Sequence, residues 1–181
     1  MTVIADAQNI RDSIITVSDF PTRGVSFKDI TPLVGNHVLF QTSISLMRDA
    51  ILGWHIPADK IKIVGLEARG FLFAAPLSLR LECPLILFRK SGKLPRECHK
   101  VHTINEYSGA SFEFHKDSIS PGDHVVVVDD VLATGGTLSA INSAVLAIGA
   151  VPYNLTLIGL DYLNGASKIT VPLRSILNYE Y

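Results

Sequence analysis

Two adjacent carboxylates, Asp129 and Asp130, follow an unbroken β-branched run, Val125 to Val128, and precede Val-Leu-Ala-Thr-Gly-Gly-Thr. Such a run predicts a strand buried on both faces of a parallel sheet. From Leu138 the pattern becomes helical, with Leu138, Ile141, Val145 and Ile148 three or four residues apart. The order is therefore strand, acidic pair, phosphate-sized loop, helix. Gly135 and Gly136 let bare backbone N–H groups converge, and the helix that follows contributes partial positive charge at its start, so the loop suits an anion. Thr134 and Thr137 add hydroxyl donors, and the carboxylates can accept hydrogen bonds from neighbouring hydroxyls of a sugar. The Gly-Lys-Ser/Thr ending of a P-loop and the G-x-G-x-x-G of a dinucleotide site are both missing here, which disfavours a nucleotide kinase or a dehydrogenase. Turn closure alone explains any one of these residues, but the set together points to a phosphorylated sugar.

Two further stretches suit anionic chemistry. Ile61-Lys-Ile-Val-Gly-Leu reads as a central strand ending in Glu67-Ala68-Arg69-Gly70, with a helix from Phe71 to about Leu81. A polar turn between strand and helix is a second anion site, and Arg69 offers a bidentate donor to diphosphate. A purely structural Glu67–Arg69 pair is the alternative. Pro84-Leu-Ile-Leu-Phe is the next strand and leads into Arg89, Lys90 and Lys93, three cations within five residues. Such a cluster is usually a solvated loop, yet in a nearly neutral chain it can neutralise a polyphosphate. From 90 to about 110 no period is sustained, as in a lid or a disordered loop. His99 and His102 lack further ligands at zinc-site spacing and read as exposed loop histidines. His37, His55, His115 and His124 are no better placed as ligands.

The remaining segments must position these groups. Ile4, Ala7, Ile10, Ile14 and Val17 predict an amphipathic helix over 3–17, and Leu39, Phe40, Ile44, Met47 and Ile51 predict a second over 37–54. Between them, Pro21, Gly24 and Pro32 argue against regular structure through most of 19–33. There Phe27, by physics alone, reads as a plug on a small apolar cluster. Ser111 to His115 alternates like an antiparallel strand, and Pro152–Leu160 and Arg174–Tyr179 read as further strands. Strands alternating with helices, with polar turns at strand ends, predict a doubly wound α/β fold, its central sheet mainly parallel and flanked by helices.

At 181 residues the chain is expected to form a single domain. Net charge is −1, so no global basic field attracts nucleic acid. A mean hydropathy of +0.31 hints at an oligomeric interface. No apolar run reaches the roughly 18 residues of a membrane helix, and the early Asp6 does not fit a secretory signal. Two cysteines without a framework suit a reducing cytoplasm.

Apolar run, Asp-Asp, two residues, Ala-Thr-Gly-Gly-Thr resembles the phosphoribosyl-diphosphate (PRPP) signature of the type I phosphoribosyltransferases. The resemblance implies that Asp129 and Asp130 hold the ribose hydroxyls. It also implies that Ala133, Thr134, Gly135, Gly136 and Thr137 wrap the 5′-phosphate. Phe-Pro-x-x-Gly-Val-x-Phe-x-Asp-Ile, from Phe20, is similar to the hood segment of adenine-specific members. This implies a hood over about 19–35 in which Phe27 stacks on the purine while the backbone of Ser26 and Lys28 reads its edge. Ser26 and Lys28 depart mildly from the Val or Ile and Arg usual there. Gly-Leu-Glu-Ala-Arg-Gly-Phe resembles the family's diphosphate loop, which implies that Glu67, Ala68 and Arg69 contact diphosphate over a strained backbone. Arg-Lys-x-Gly-Lys-Leu-Pro resembles the start of its mobile lid, expected here over about 90–110, with Lys90 and Lys93 on the diphosphate and Arg89 supporting. At the lid's far end Glu106 and Tyr107 match Glu-Tyr-Gly, although Ser108-Gly109 replaces the single Gly and Thr103 stands where Tyr is common.

The implied reaction transfers phosphoribosyl from PRPP to adenine N9, giving AMP and diphosphate. Arg69 and Lys90 would stabilise the leaving group, and Glu106 would handle the purine proton. Mg²⁺ would be held mainly by PRPP and water without a direct protein ligand, and the family's habit implies a homodimer. Ala133 stands where transferases of 6-oxopurines typically carry Asp, which disfavours hypoxanthine and guanine; xanthine is harder to exclude. A PRPP-sensing regulator would normally add a DNA-binding module, for which the chain has no spare length.

Overall fold

The computed structural model describes residues 3–104 and 109–180. The chain divides into two units, Met1–Leu46 and Met47–Tyr181. In the first, α1 (Val3–Ser13) stops short of the expected Val17, because the β-branched Ile15, Thr16 and Val17 belong to a strand, β1 (Ile15–Ser18). β1 pairs antiparallel with β2 (Ser26–Asp29), setting Val17 opposite Phe27 and Thr16 opposite Lys28. The segment expected to be irregular thus contains a strand, and then α2 (Thr31–Gly35). Pro32 lies in the first turn of α2, where a missing N–H costs nothing, so it starts that helix rather than preventing it. The turn between β1 and β2 has a cis Phe20–Pro21 bond and is closed by Gly24 N–H donating to Asp19 Oδ1 at 2.6 Å. α3 (His37–Leu52) follows the predicted stripe, with Ile44, Met47 and Ile51 buried.

The second unit is built on β3 (Ile61–Leu66), α4 (Gly70–Leu81), β4 (Leu85–Lys90), β5 (Cys98–Ile104), β6 (Gly109–His115), β7 (His124–Leu132), α5 (Gly136–Ala147), β8 (Val151–Leu160) and β9 (Leu173–Tyr179). These strands form one sheet in the order β5-β6-β4-β3-β7-β8-β9. β4, β3, β7, β8 and β9 run parallel, while β6 pairs antiparallel with both β4 and β5. The predicted βαβ units are β3-α4-β4 and β7-α5-β8.

Alternation along the strands separates the two faces. Val64 and Leu66 of β3 join Val125 and Val127 of β7 in a core with Leu138, Ile141 and Val145 of α5. Gly65 points the other way, where an added Cβ would lie 2.8 Å from Ala74 Cβ, so α4 packs directly on the β3 backbone. Val125 to Val128 are fully buried, as expected for a doubly covered strand. The antiparallel β5–β6 pair occupies part of the stretch expected to be a loop or lid. On β5, buried Val101 and Thr103 alternate with exposed Lys100 and His102, a pattern of period two that mostly polar letters conceal. His99 and His102 are therefore strand residues. His99 packs against the Phe114 ring at 5.1 Å between centroids, and His102 Nδ1 lies 2.9 Å from Ser111 Oγ.

Candidate active site

The parallel strands deliver their polar turns to one edge of the sheet, as doubly wound topology requires. β7 continues through the acidic pair to Leu132, so Asp129 and Asp130 are held by strand pairing. Thr156 of β8 lies opposite Asp129 in the register. Asp129 Oδ1 accepts the Asp130 N–H at 2.9 Å. Asp130 is 2% exposed and its Oδ2 lies 2.9 Å from Arg69 Nε. Burial pushes both carboxyls above the usual range. Asp129 rises further, because the Asp130 charge adds to its desolvation whereas Arg69 offsets the rise at Asp130.

The loop after β7 closes through two glycines in different segments. Gly135, at φ +76°, precedes α5 and has no room for a Cβ, which would overlap the Gly165 carbonyl oxygen. A Cβ on Gly165 would in turn overlap the Ala133 carbonyl oxygen. Ala133 to Thr137 is thus folded tightly against the 3₁₀ turn Gly165–Lys168. The N–H groups of the α5 first turn have no carbonyl one turn earlier in the helix to bond, so they suit a phosphate.

Gly70 draws the two turns together, since a Cβ there would lie 2.6 Å from the Val128 carbonyl oxygen and 3.2 Å from Asp129 Oδ1. Arg69 therefore reaches Asp130, and the Glu67–Arg69 pair considered from sequence gives way to different partners. Glu67 Oε1 takes Lys93 Nζ at 2.6 Å, and its Oε2 accepts the Lys90 N–H at 2.8 Å and lies 3.4 Å from Arg89 Nε. The Lys93 hydrogen bond is the main reason that the Glu67 carboxyl is held below its usual range. The Glu67–Ala68 peptide bond is cis. Arg89, Lys93 and the Lys90 N–H thus gather on Glu67 at the end of β4, while Arg69, two residues on from Glu67, turns to Asp130.

In the first unit Ser26, Phe27 and Lys28 occupy β2, with Phe27 edge-on to Phe20 at 5.1 Å. Lys28 is buried and donates to Thr16 Oγ1 at 2.9 Å, and burial followed by the Arg11 charge lowers its pKa. Glu106 and Tyr107 lie outside the described residues. Gly165 and Glu113 have no role assignable from sequence. An Asn-Gly step was the local trace of Gly165, whereas Glu113 looked like a solvent-facing position of an alternating strand.

Two neighbouring carboxylates on a parallel strand, a glycine-closed loop leading into a helix, and a cationic turn beside them define a type I phosphoribosyltransferase domain. A family profile described as phosphoribosyl transferase domain matches residues 35–151. An adenine phosphoribosyltransferase of Ureaplasma parvum serovar 3 is 41% identical over 171 residues, covering 94% of this chain and 96% of that protein. One from Roseiflexus sp. is 42% identical over 94% of this chain and 98% of its own length. The structure of the Saccharomyces cerevisiae adenine phosphoribosyltransferase, complexed with D-2,5-dideoxy-2,5-imino-altritol 1,6-bisphosphate and adenine, superposes with a TM-score of 0.90 at 35% identity, covering 96% of this chain and 99% of that one. The chain belongs to the adenine phosphoribosyltransferase family.

Proposed function

We propose that this chain is a purine-salvage enzyme that transfers the 5-phosphoribosyl group from PRPP to N9 of adenine, forming AMP and diphosphate. The observation that carries the reading is the approach of the Arg69–Gly70 turn to Asp129 and Asp130, which joins a sugar-binding element to a diphosphate-binding one. The relatives named above, adenine phosphoribosyltransferases by name, support adenine as the base. Ala133, which has no carboxyl to take a proton from a 6-oxopurine, supports it too.

In the reaction the C1′–O bond to diphosphate breaks, its electron pair leaves with the diphosphate, and adenine N9 forms the new bond while the N9 proton departs. Positive charge grows at C1′ and negative charge on the leaving oxygen, so positioning and charge stabilisation carry most of the catalysis. Asp129 and Asp130 accept the ribose hydroxyls, and Ala133 to Thr137 take the 5′-phosphate. Arg69, Lys90 and Lys93 receive the diphosphate, with Arg89 in support. Phe27 stacks on adenine while backbone groups of Ser26 and Lys28 read its edge. Glu106 takes the proton and Tyr107 belongs to the closing lid, which excludes the water that would hydrolyse PRPP.

Magnesium suits this donor set as a substrate-borne ion. Asp130 Oδ2 already faces Arg69 at 2.9 Å, so the acidic pair is not a bare dicarboxylate cage. A Mg²⁺ brought in with PRPP and water would need no protein ligand, and it would neutralise part of the leaving group's charge. A homodimer is supported by exposed Leu72 and Leu79, on one face of α4, and by exposed Leu85 and Leu87 on β4. The free thiols of Cys83 and Cys98 suit a cytoplasmic location, and among the described residues no helix is long and apolar enough to cross a membrane. PRPP consumption measured with adenine, hypoxanthine, guanine and xanthine tests the reading. Turnover with adenine alone is expected. Turnover with hypoxanthine but not adenine overturns the base, and PRPP binding without any turnover indicates a sensor.

A further inference from the structure

Three consecutive N–H groups at the end of β4 are held by three different acceptors. Lys90 N–H donates to Glu67 Oε2 at 2.8 Å, Ser91 N–H to the Ser111 carbonyl at 3.0 Å, and Gly92 N–H to Glu113 Oε2 at 2.9 Å. The turn is closed further by Arg89 Nη1, which donates to the Lys93 carbonyl at 3.1 Å. Glu113 stands on β6 opposite both Arg89 of β4 and Lys100 of β5, and its other oxygen lies 3.4 Å from Lys100 Nζ. Its carboxylate is nearly buried, at 6% exposure, whereas Gly92 is exposed. Water alone would satisfy the Gly92 N–H, and burying a carboxylate carries a desolvation cost. Satisfying a donor therefore does not explain this residue. Holding a turn in one geometry does, because an acceptor rooted in a sheet fixes a loop N–H in a way that water cannot.

We propose that Glu113 is a positioning residue for the diphosphate end of the site, fixing through Gly92 the turn that presents Lys90 and Lys93 and thereby setting the affinity for PRPP. The inference rests on the assignment of those lysines to diphosphate. Gly92 fits the role: its φ of +83° is rare for other residues, yet an added Cβ would meet nothing within 4 Å, so an alanine there perturbs the turn conformation and not its packing. Gly92 N–H is also the main cause holding the Glu113 carboxyl below its usual range.

The test varies PRPP at saturating adenine, then adenine at saturating PRPP, for the wild type, Glu113→Ala, Glu113→Gln and Gly92→Ala, with a melting curve for each. Glu113→Ala and Gly92→Ala are expected to raise the KM for PRPP by roughly tenfold, as misplacement of binding groups does, with the KM for adenine within about twofold of the wild type. Glu113→Gln keeps an acceptor for Gly92 and gives up mainly the charge facing exposed Lys100, so it is expected to restore the KM for PRPP to within about twofold. An unchanged KM for PRPP in Glu113→Ala overturns the proposal. So does an equal rise in both KM values, or a Glu113→Gln no better than Glu113→Ala. If Glu113→Ala does not fold, Gly92→Ala decides, and a wild-type KM for PRPP there overturns the proposal. Absence of PRPP-dependent turnover in the wild type would instead remove the functional reading beneath it.

Discussion

Asp129 with Asp130, and Glu67 with Glu113, are two sets of poorly solvated carboxylates in the same unit, and their surroundings act on them in opposite directions. Burial raises both aspartates, and the Asp130 charge raises Asp129 further, with Arg69 as a partial offset. Donors lower the glutamates, chiefly Lys93 for Glu67 and the Gly92 N–H for Glu113. The glutamates have found their partners within the protein, so they hold structure in place. The aspartates stay raised even with Arg69 beside Asp130, and a ligand bringing hydroxyl donors would relieve them. Binding sites are where such unresolved charge is expected.

Removing the unresolved charge should give the largest functional effect. Asp129→Asn with Asp130→Asn is expected to lower kcat/KM for PRPP by about 10³-fold, on the order of 2 kcal/mol for each charge-assisted hydrogen bond. Unchanged turnover would break the contrast and the sugar assignment together. Next in size is Gly135→Ala, which adds a left-handed backbone penalty to overlap with Gly165. A loss of about 3 kcal/mol or more in denaturant unfolding is expected.

The two sets should also differ in stability against pH. A carboxyl raised by folding binds its proton more readily in the native state, so stability falls as pH climbs from the unfolded pKa, near 4, through the raised one. Asp129→Asn removes that loss and is expected to raise Tm by about 3 °C at pH 7.5, with little effect at pH 4. A carboxyl lowered by folding behaves the other way. The contributions of Glu67 and Glu113 are present above their unfolded pKa and fade as pH falls through their lowered values, so the deficit of Glu113→Gln at pH 7 should vanish in acid. A Tm for Asp129→Asn below the wild type at pH 7.5 would show that the pair is already neutralised.

The smallest effect sharpens the contrast. Lys93 is half-exposed and paired with Glu67, which would compete with diphosphate for the cation proposed to bind it. Glu67→Gln keeps an acceptor for the Lys90 N–H and frees Lys93. PRPP binding measured by calorimetry is expected to tighten by about threefold, the worth of a surface ion pair.

Residue pattern alone made the chemistry legible. Val125 to Val128 can only be a doubly buried strand, and an acidic pair followed by Gly-Gly at its end has few uses other than a phosphosugar. The α4 and α5 helices and the central β3 were equally plain, because apolar residues dominate each of them, Pro76 and Arg80 in α4 notwithstanding. The β5–β6 pair was less so, since β5 alternates between polar residues and its pairing with β6 is not encoded within either strand. The helix expected over 3–17 ends at Ser13 for a related reason: Ile14 and Val17 continue its apolar spacing, but pairing with β2 favours the extended form over local periodicity.

By itself the sequence determined the class of fold and marked the loop and the cations proposed for a phosphorylated sugar, because these depend on residue types within single short stretches. Only the tertiary structure decided which acid meets which base: Arg69 with Asp130, Lys93 with Glu67, Gly92 with Glu113. Those pairs join residues 21 to 61 positions apart. Their partners are chosen by strand order and by the close approach of Gly70 to β7, which no local pattern encodes.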